Sequence, residues 1–367
     1  MCQACNIPLD EARSESFANR LTEILNHGAL SLMISIGHRT GLFDTLAKLD
    51  WATSVELADA ANLHERYVRE WLGAVTLGEI VEHEPDPDGG HGRFRLPAEH
   101  AAWLTREATP DNIAVYGQYI STLGSVEDQI VECFHNGGGV PYEAYSRFHP
   151  VMAEDSGQTV LPALVDHILP LAPDLIEKLE TGIDCLDIGC GSGRAYNLLA
   201  RTYPNSRFVG YDFSEEAIAH ARREAKELGL TNVRFEVRDC TELDEHQAYD
   251  LITAFDAIHD QVWPDKVLRA VRQALKPDGT FLMQDIAASS YVHKNTDLPL
   301  GALLYTVSCL HCMTVSLAGG GLGLGAMWGE EKALEMLNEA GFDRVQLSHL
   351  PHDIQNAYYV ISLDKAA

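Results

Sequence analysis

The sequence predicts an α/β protein in two parts, a mostly helical N-terminal part and a C-terminal domain built on a largely parallel sheet. Three observations carry this. From Cys185 onward, short apolar strands alternate with helical patterns at βαβ spacing. The first of these strands runs into a glycine-rich loop that opens a helix. The first hundred residues instead show apolar runs at helical period that close on one short hairpin. At 367 residues, with 46% apolar content, the chain is long enough for two domains and rich enough for a sizeable core.

In chain order, Ser16 to Gly37 reads as a helix, with Phe17, Leu21, Ile24, Leu25, Ala29, Leu32, Met33 and Ile36 at helical spacing. Leu42 to Leu46 continues as a second short helix. Val55 to Ala61 and Tyr67 to Leu77, joined by a turn, form a helix-turn-helix. Ile80 to His83 and Arg93 to Leu96, around Pro85-Asp-Pro-Asp-Gly-Gly90, form a hairpin wing. Together these elements predict a winged helix.

Asn112 to Phe134 predicts one or two further helices, ending at the break Asn136-Gly-Gly-Gly139. An aromatic linker, Pro141 to Met152, follows, and Tyr142, Phe148 and His149 in it are candidate pocket residues. Thr159 to Glu180 predicts a long helix kinked or broken at Pro170 and Pro173.

The stretch Cys185-Leu-Asp-Ile-Gly-Cys-Gly-Ser-Gly193 organises the second part. Alternate glycines let the backbone turn sharply and let a ligand lie against main-chain N–H groups. A dinucleotide fingerprint, G-x-G-x-x-G or A, fails here because its last position is Arg194. The pattern present, D-x-G-x-G-x-G on Asp187, Gly189, Gly191 and Gly193, resembles motif I of the class I S-adenosylmethionine (SAM) methyltransferases. That resemblance implies a Rossmann-like seven-stranded domain with SAM as cofactor, bound by Asp187, Gly189, Cys190, Gly191 and Gly193. The second strand, Arg207 to Tyr211, ends at Asp212, an acid placed to accept both ribose hydroxyls. The third, Val233 to Val237, ends at Asp239-Cys240, where the family usually faces the adenine amino group. Phe213, Cys240 and Phe255 complete the expected cofactor wall.

The fourth strand, Tyr249 to Phe255, leads to Asp256-Ala-Ile-His259. The fifth, Thr280 to Gln284, follows the turn Lys276-Pro-Asp-Gly279. Phe342 to Leu347 and Ala357 to Leu363 read as the last two strands, suited to the antiparallel hairpin that closes the family's sheet.

Methyl transfer from SAM requires alignment of nucleophile, methyl and sulfur, and a hydroxyl or thiol nucleophile must also lose a proton. Ile258-His259-Asp260-Gln-Val-Trp263 resembles the His-Asp-Trp segment of the winged-helix O-methyltransferases, with Trp263 displaced from its usual place. The resemblance implies His259 as general base and Asp285, at the end of the fifth strand, as the acid that orients it. The insertion 287–329 is expected to cap the acceptor site with His293, Tyr305, His311, Cys312 and Trp328. Its string from Leu304 to Ser316 resembles a winged-helix SAM methyltransferase group typified by a mycobacterial protein, which implies a small acceptor without naming it.

Net charge is −27, from 27 basic against 54 acidic residues, and no basic run is present, so a nucleic-acid partner is not expected. Eight irregularly spaced cysteines do not resemble a disulfide framework, and neither a signal peptide nor a membrane span is read, so the cytoplasm is expected. Cys309-x-x-Cys312 inside an apolar run reads as buried small residues, with no metal assigned; a four-thiolate zinc site with Cys2 and Cys5 is the alternative. The expected division is a winged-helix domain over 1–110, which supplies a homodimer surface and a pocket wall, a helical linker over 111–156 and a methyltransferase domain over 157–367. The expected function is SAM-dependent methylation of a small molecule at oxygen. S-methylation of a thiol, thioether or other soft acceptor, and a SAM-sensing DNA-binding regulator, are the alternatives.

Overall fold

The computed structural model describes residues 8–363. They fall into two compact units, one up to Ser121 and the other from Thr122 onward. The expected linker 111–156 is therefore divided between the two rather than standing apart.

In the N-terminal unit, α1 (Glu11–Thr40) starts on the cap Asp10, whose carboxylate accepts from the Arg13 N–H, and stops at the left-handed Gly41. It is longer than the periodicity predicts, and its apolar side chains stay largely in solvent, with Phe17 at 65% and Leu25 at 67% exposure. Helix α2 (Leu42–Leu46) is followed by α3 (Ser54–Ala61), which opens on a reciprocal Thr53–Glu56 capping box, and α4 (Glu65–Leu77). Strands β1 (Glu82–Glu84) and β2 (Arg93–Arg95) pair antiparallel as the wing. Phe43 meets Trp71 edge-on at 5.2 Å, and around them Leu46, Leu57, Leu72, Val75 and Phe94 fill a small core. Helix α5 (Ala98–Leu104) follows, and the division between units falls within α6 (Gly117–Gly124).

The C-terminal unit begins with α7 (Glu127–Asn136). Helix α8 (Phe148–Ala163) starts well before the expected Thr159, absorbing the end of the aromatic linker from Phe148 to Met152. It carries Pro162 near its end, widens into a π turn over Leu164–Ile168 and breaks before α9 (Leu175–Thr181). The reason is local: Pro162, Pro170 and Pro173 each remove an N–H that a continuous α ladder needs.

Seven strands form one sheet: β3 (Asp184–Ile188), β4 (Arg207–Asp212), β5 (Val233–Val237), β6 (Tyr249–Phe255), β7 (Leu275–Ile286), β8 (Arg344–His349) and β9 (Asn356–Ser362). Their order is β5-β4-β3-β6-β7-β9-β8, with β3 to β7 parallel and β9 antiparallel to both β7 and β8. The Lys276–Gly279 turn lies inside β7 as an interruption, since Tyr249 pairs with Leu275 and Leu251 with Thr280. Side chains alternate between two cores, so Leu186, Ile252 and Phe281 enter one and Cys185, Leu251 and Leu282 the other. Helices α10 (Arg194–Thr202), α11 (Glu215–Glu227) and α12 (Pro264–Ala274) make the crossovers. Helix α13 (Gly301–Val307), a π turn (Ser308–Cys312) and α14 (Met313–Ala318) run on as one apolar helix, long enough by composition to cross a membrane. His311, Cys312, Thr314 and Ser316 on it are buried in this unit. Helix α15 (Gly329–Glu339) precedes β8.

Candidate active site

The chain leaves β3 toward β4 and β5, then returns past β3 to β6, so the strand order reverses at β3. In an open α/β sheet, a crevice forms outside the carboxyl ends of the strands at such a point. The glycine loop sits there. Gly193 has φ 70°, and a Cβ on it would stand 2.6 Å from Ala221 and Phe235. Glycine is needed for both reasons. Gly191, at φ 51°, would have no atom within 4 Å of an added Cβ, so this part of the loop faces open space. That space is a cavity of about 480 Å³ within the C-terminal unit, lined by the loop, Asp212, Phe213, Asp239 to Thr241, Phe255 to Ala257 and Asp260 to Val262.

Several carboxylates stand along it, among them Asp212, Asp187 and Asp239. Asp212 accepts from the N–H groups of Gly191 and Ser214, each at 2.9 Å, which ties the end of β4 to the loop. Burial raises its pKa against those two bonds. Asp187 accepts from Thr253 Oγ1 at 2.7 Å, and burial pushes it up to about 7. Asp239 is exposed at the rim and accepts from the Thr241 N–H and hydroxyl.

The opposite wall is aromatic. Tyr142 lies within 6 Å of Phe148, His149, Phe213 and His311. His149 Nε2 is 3.0 Å from Ser214 Oγ, and burial lowers its pKa against the pull of Asp212. His311 is stacked on Phe148 with ring centroids 3.4 Å apart, and neither of its nitrogens has a partner. Burial pushes it down to about 4, so it is neutral at physiological pH. Arg194, the first residue of α10, donates to the Ala153 carbonyl at 2.7 Å and so joins α8 to the loop.

Beyond the end of β6, His259 is 3% exposed and Asp285 fully buried. His259 Nδ1 is 2.7 Å from Asp285 Oδ1, which also accepts from Trp328 Nε1 and the Ile286 N–H, both at 2.9 Å. On the other side, His259 Nε2 is 3.4 Å from Asp260 Oδ1. Burial pulls the imidazole down, but Asp285 and Asp260 outweigh it and hold its pKa well above the usual histidine range. Asp260, not His259, lines the cavity.

Residues 28–106 match the family described as the Rv2258c-like winged HTH domain, and residues 179–341 the family described as a methyltransferase domain. The second match covers β3 to β7, the glycine loop and the carboxylates at the strand ends. The C-terminal unit carries a class I SAM-dependent methyltransferase domain. The fold is similar to that of a protein from Nostoc punctiforme described as an O-methyltransferase, at 18% identity and a TM-score of 0.69, covering 94% of this chain and 98% of that one. It is similar also to human N-acetylserotonin methyltransferase, solved in complex with SAM, at 17% identity and a TM-score of 0.68, covering 98% and 99%. Trans-aconitate 2-methyltransferase of Variovorax paradoxus is 35% identical over 100 residues, which are 27% of this chain and 37% of that protein. Ubiquinone biosynthesis O-methyltransferase of Neisseria meningitidis is 30% identical over 134 residues, 34% and 55% of the two chains. The chain thus spans between 23% and 55% of the length of the curated relatives compared.

SAM, the cofactor of that class, fits what the methyltransferase domain presents. The open face at Gly191 admits a ligand against the main chain, and Asp212 is fixed by two N–H groups at the cavity edge. The cavity brings together all the expected cofactor residues: Asp187, Gly189, Cys190, Gly191, Gly193, Asp212, Phe213, Asp239, Cys240 and Phe255. Of the expected acceptor residues, Tyr142, Phe148 and His149 line it as well.

Others lie elsewhere. His293 is exposed beside Tyr291, and Tyr305 sits 3.3 Å from Asn295 Nδ2; neither reaches the cavity, because the 287–300 segment is held by its own bonds. Trp328 is buried under the wall as a donor to Asp285. His311 and Cys312 stand behind Tyr142 and His259. Cys2 and Cys5 lie outside the described residues. Asp260, Thr253 and Arg194 were not anticipated as site residues. Only Asp260 had a signal, its place after His259 in the segment that carries the resemblance.

Proposed function

We infer that this protein transfers the SAM methyl group to a small-molecule acceptor at oxygen, with His259 as the general base held by Asp285. SAM supplies an electrophilic methyl on sulfur. Asp212 would hold the sugar hydroxyls, the loop from Gly189 to Gly193 the amino-acid portion, and Asp239 with Cys240 and Phe255 the adenine.

The observation that carries the reading is the buried array Asp285–His259–Asp260 at the end of β6, adjoining the cavity through Asp260. Two carboxylates flank one imidazole, so with the ring neutral the array carries two negative charges, and Nε2 has room for one proton that those charges hold. An acceptor hydroxyl gives its proton to this array as its oxygen bonds to the methyl carbon. Burial of His259 and Asp285 keeps that side of the array dry, so the charge there is poorly screened, while Asp260 opens on the cavity.

The aromatic wall of Tyr142 and Phe148 favours a flat or apolar acceptor over a polyanion. N-acetylserotonin and trans-aconitate, which two relatives' names carry, are small molecules. A nucleic-acid role finds no support in the N-terminal unit. On α4, Arg66 pairs with Glu70 and Arg69 with Glu65, and on the wing Arg95 pairs with Glu82. Those charges are already answered by acids of the same unit. The exposed apolar face of α1 supports pairing with a second copy of the chain.

The test is a panel of phenolic, carboxylic and thiol acceptors with the full chain, following S-adenosylhomocysteine release in the native protein and in His259→Ala. A rate loss of about 10²–10⁴-fold is expected for a base. An unchanged rate on every accepted substrate removes His259 from the role, and preference for a thiol moves the acceptor atom to sulfur.

A further inference from the structure

The two sides of His259 are unlike. Nδ1 closes to 2.7 Å on Asp285, a short, well-formed hydrogen bond. Nε2 stops 3.4 Å short of Asp260 Oδ1, an oxygen shut off from solvent. A third group, the buried Cys312 thiol, is within hydrogen-bonding reach of both. The three atoms, one nitrogen, one oxygen and one sulfur, lie within 4.8 Å of one another.

We propose that His259 Nε2, Asp260 Oδ1 and Cys312 Sγ form a binding site for a divalent cation of the zinc type. Bonds of about 2.0–2.3 Å in a tetrahedral site put neighbouring ligand atoms about 3.3–3.8 Å apart, and the Nε2–Oδ1 gap lies in that range. A gap of this width is long for a proton and short for a water.

The surroundings match a metal-binding histidine. Asp285 accepts from Nδ1 and so leaves the Nε2 lone pair for a ligand, and Asp285 is itself held by Trp328 and the Ile286 N–H. Cys312 reaches the cluster from the π turn Ser308–Cys312, an irregularity frequent at functional sites. The mixed set of imidazole, carboxylate and thiol suits zinc or cobalt rather than magnesium or calcium, which take oxygen. Asp256 also lies near His259, but the nitrogen on that side is already taken by Asp285.

On binding, the thiol and the imidazole each give up a proton to solvent, and three bonds to the ion form. Three protein ligands leave a tetrahedral ion one further position. Asp260 belongs also to the cavity wall, which puts the ion one carboxylate from a bound acceptor. The inference rests on the reading above for the cavity alone, since an ion on Nε2 takes the place of the proton that the array otherwise accepts.

The experiment uses the tag-free full chain, stripped with a chelator and titrated with Co²⁺. The expected result is one equivalent bound, with a thiolate-to-cobalt charge-transfer band in the near ultraviolet that Zn²⁺ abolishes. Cys312→Ser removes the band, Asp285→Asn weakens binding roughly 10–100-fold, and Cys309→Ser leaves both unchanged. A folded protein that shows no band, or a band that survives Cys312→Ser, overturns the proposal. Calorimetry with SAM on the same stripped protein separates the two readings. Heat with SAM but no cobalt band rejects the metal alone, whereas no heat with SAM rejects the cofactor reading whatever the cobalt result.

Discussion

His259 Nδ1 and Asp285 Oδ1, brought together from the ends of neighbouring strands β6 and β7, are 2.7 Å apart in a place water does not enter. Asp285 receives two further donors, so its position does not depend on the histidine. The pair is therefore a fixed acid orienting a ring.

Removing that acid is expected to lower kcat strongly with little effect on SAM binding. Asp285→Asn should lose about 10²-fold or more in kcat, and Trp328→Phe, which removes one donor from Asp285, should lose less. Initial rates with saturating SAM, together with calorimetric Kd values, check this. A large change in SAM Kd for Asp285→Asn contradicts a role confined to the proton-accepting side.

Asp212 carries a different load. Asp212→Ala takes away a ligand for the sugar and leaves the Gly191 and Ser214 N–H groups without their acceptor. A loss of about 2–3 kcal/mol in SAM binding is expected from charge-assisted bonds of this kind, or roughly 30–150-fold in Kd. Isothermal titration gives the figure directly.

Asp187 should make SAM binding and stability respond to pH in opposite senses. Its folded pKa, about 7, is above that of the unfolded chain. The stability it contributes is therefore complete below about pH 4 and lost as pH rises toward 7. SAM is a cation and favours the ionised carboxylate, so its affinity should rise through the same window. Titrations across that range, with Asp187→Asn as the flat control, test both slopes.

Gly193→Ala should destabilise the fold itself. A left-handed φ costs a side chain roughly 1–2 kcal/mol, and the new methyl meets Ala221 and Phe235 at 2.6 Å, which overpacks by about 1–3 kcal/mol more. Thermal unfolding should show Tm falling by several degrees even without ligand. Gly191→Ala, which has strain without the clash, should unfold closer to the native protein.

If α1 joins two copies, charge on its exposed face should separate them. The double variant Phe17→Glu, Leu25→Glu is expected to sediment as a monomer with its circular dichroism intact. A native chain that already sediments as a monomer removes the pairing.

Much of the arrangement is local enough to be written in the sequence. The D-x-G-x-G-x-G spacing demands left-handed glycines wherever it folds, and acids that end successive strands at βαβ spacing converge at one edge of a parallel sheet. Helix periods placed α2 to α4 to within two residues and α1 to within five, because they depend on neighbours three or four positions apart. The same local reasoning placed the break at Pro170 and Pro173 but started that helix late, at Thr159 rather than Phe148, since the aromatic linker before it shows no helical period.

Distance along the chain hides the rest. That Asp260, rather than His259, reaches the cavity depends on how the chain turns after β6. That Cys312 stands by both of them depends on a helix fifty residues later, whose π turn rotates its side chains by a fraction of a turn. His293 and Tyr305 belong to the same insertion, yet His293 lies against the Tyr291 ring and Tyr305 is bonded to Asn295, both outside the cavity. The sequence by itself determined which residues could bind SAM, because that loop is made of consecutive residues. Only the tertiary structure decided which side chains face the acceptor, because burial and contact there are set by segments that meet after folding.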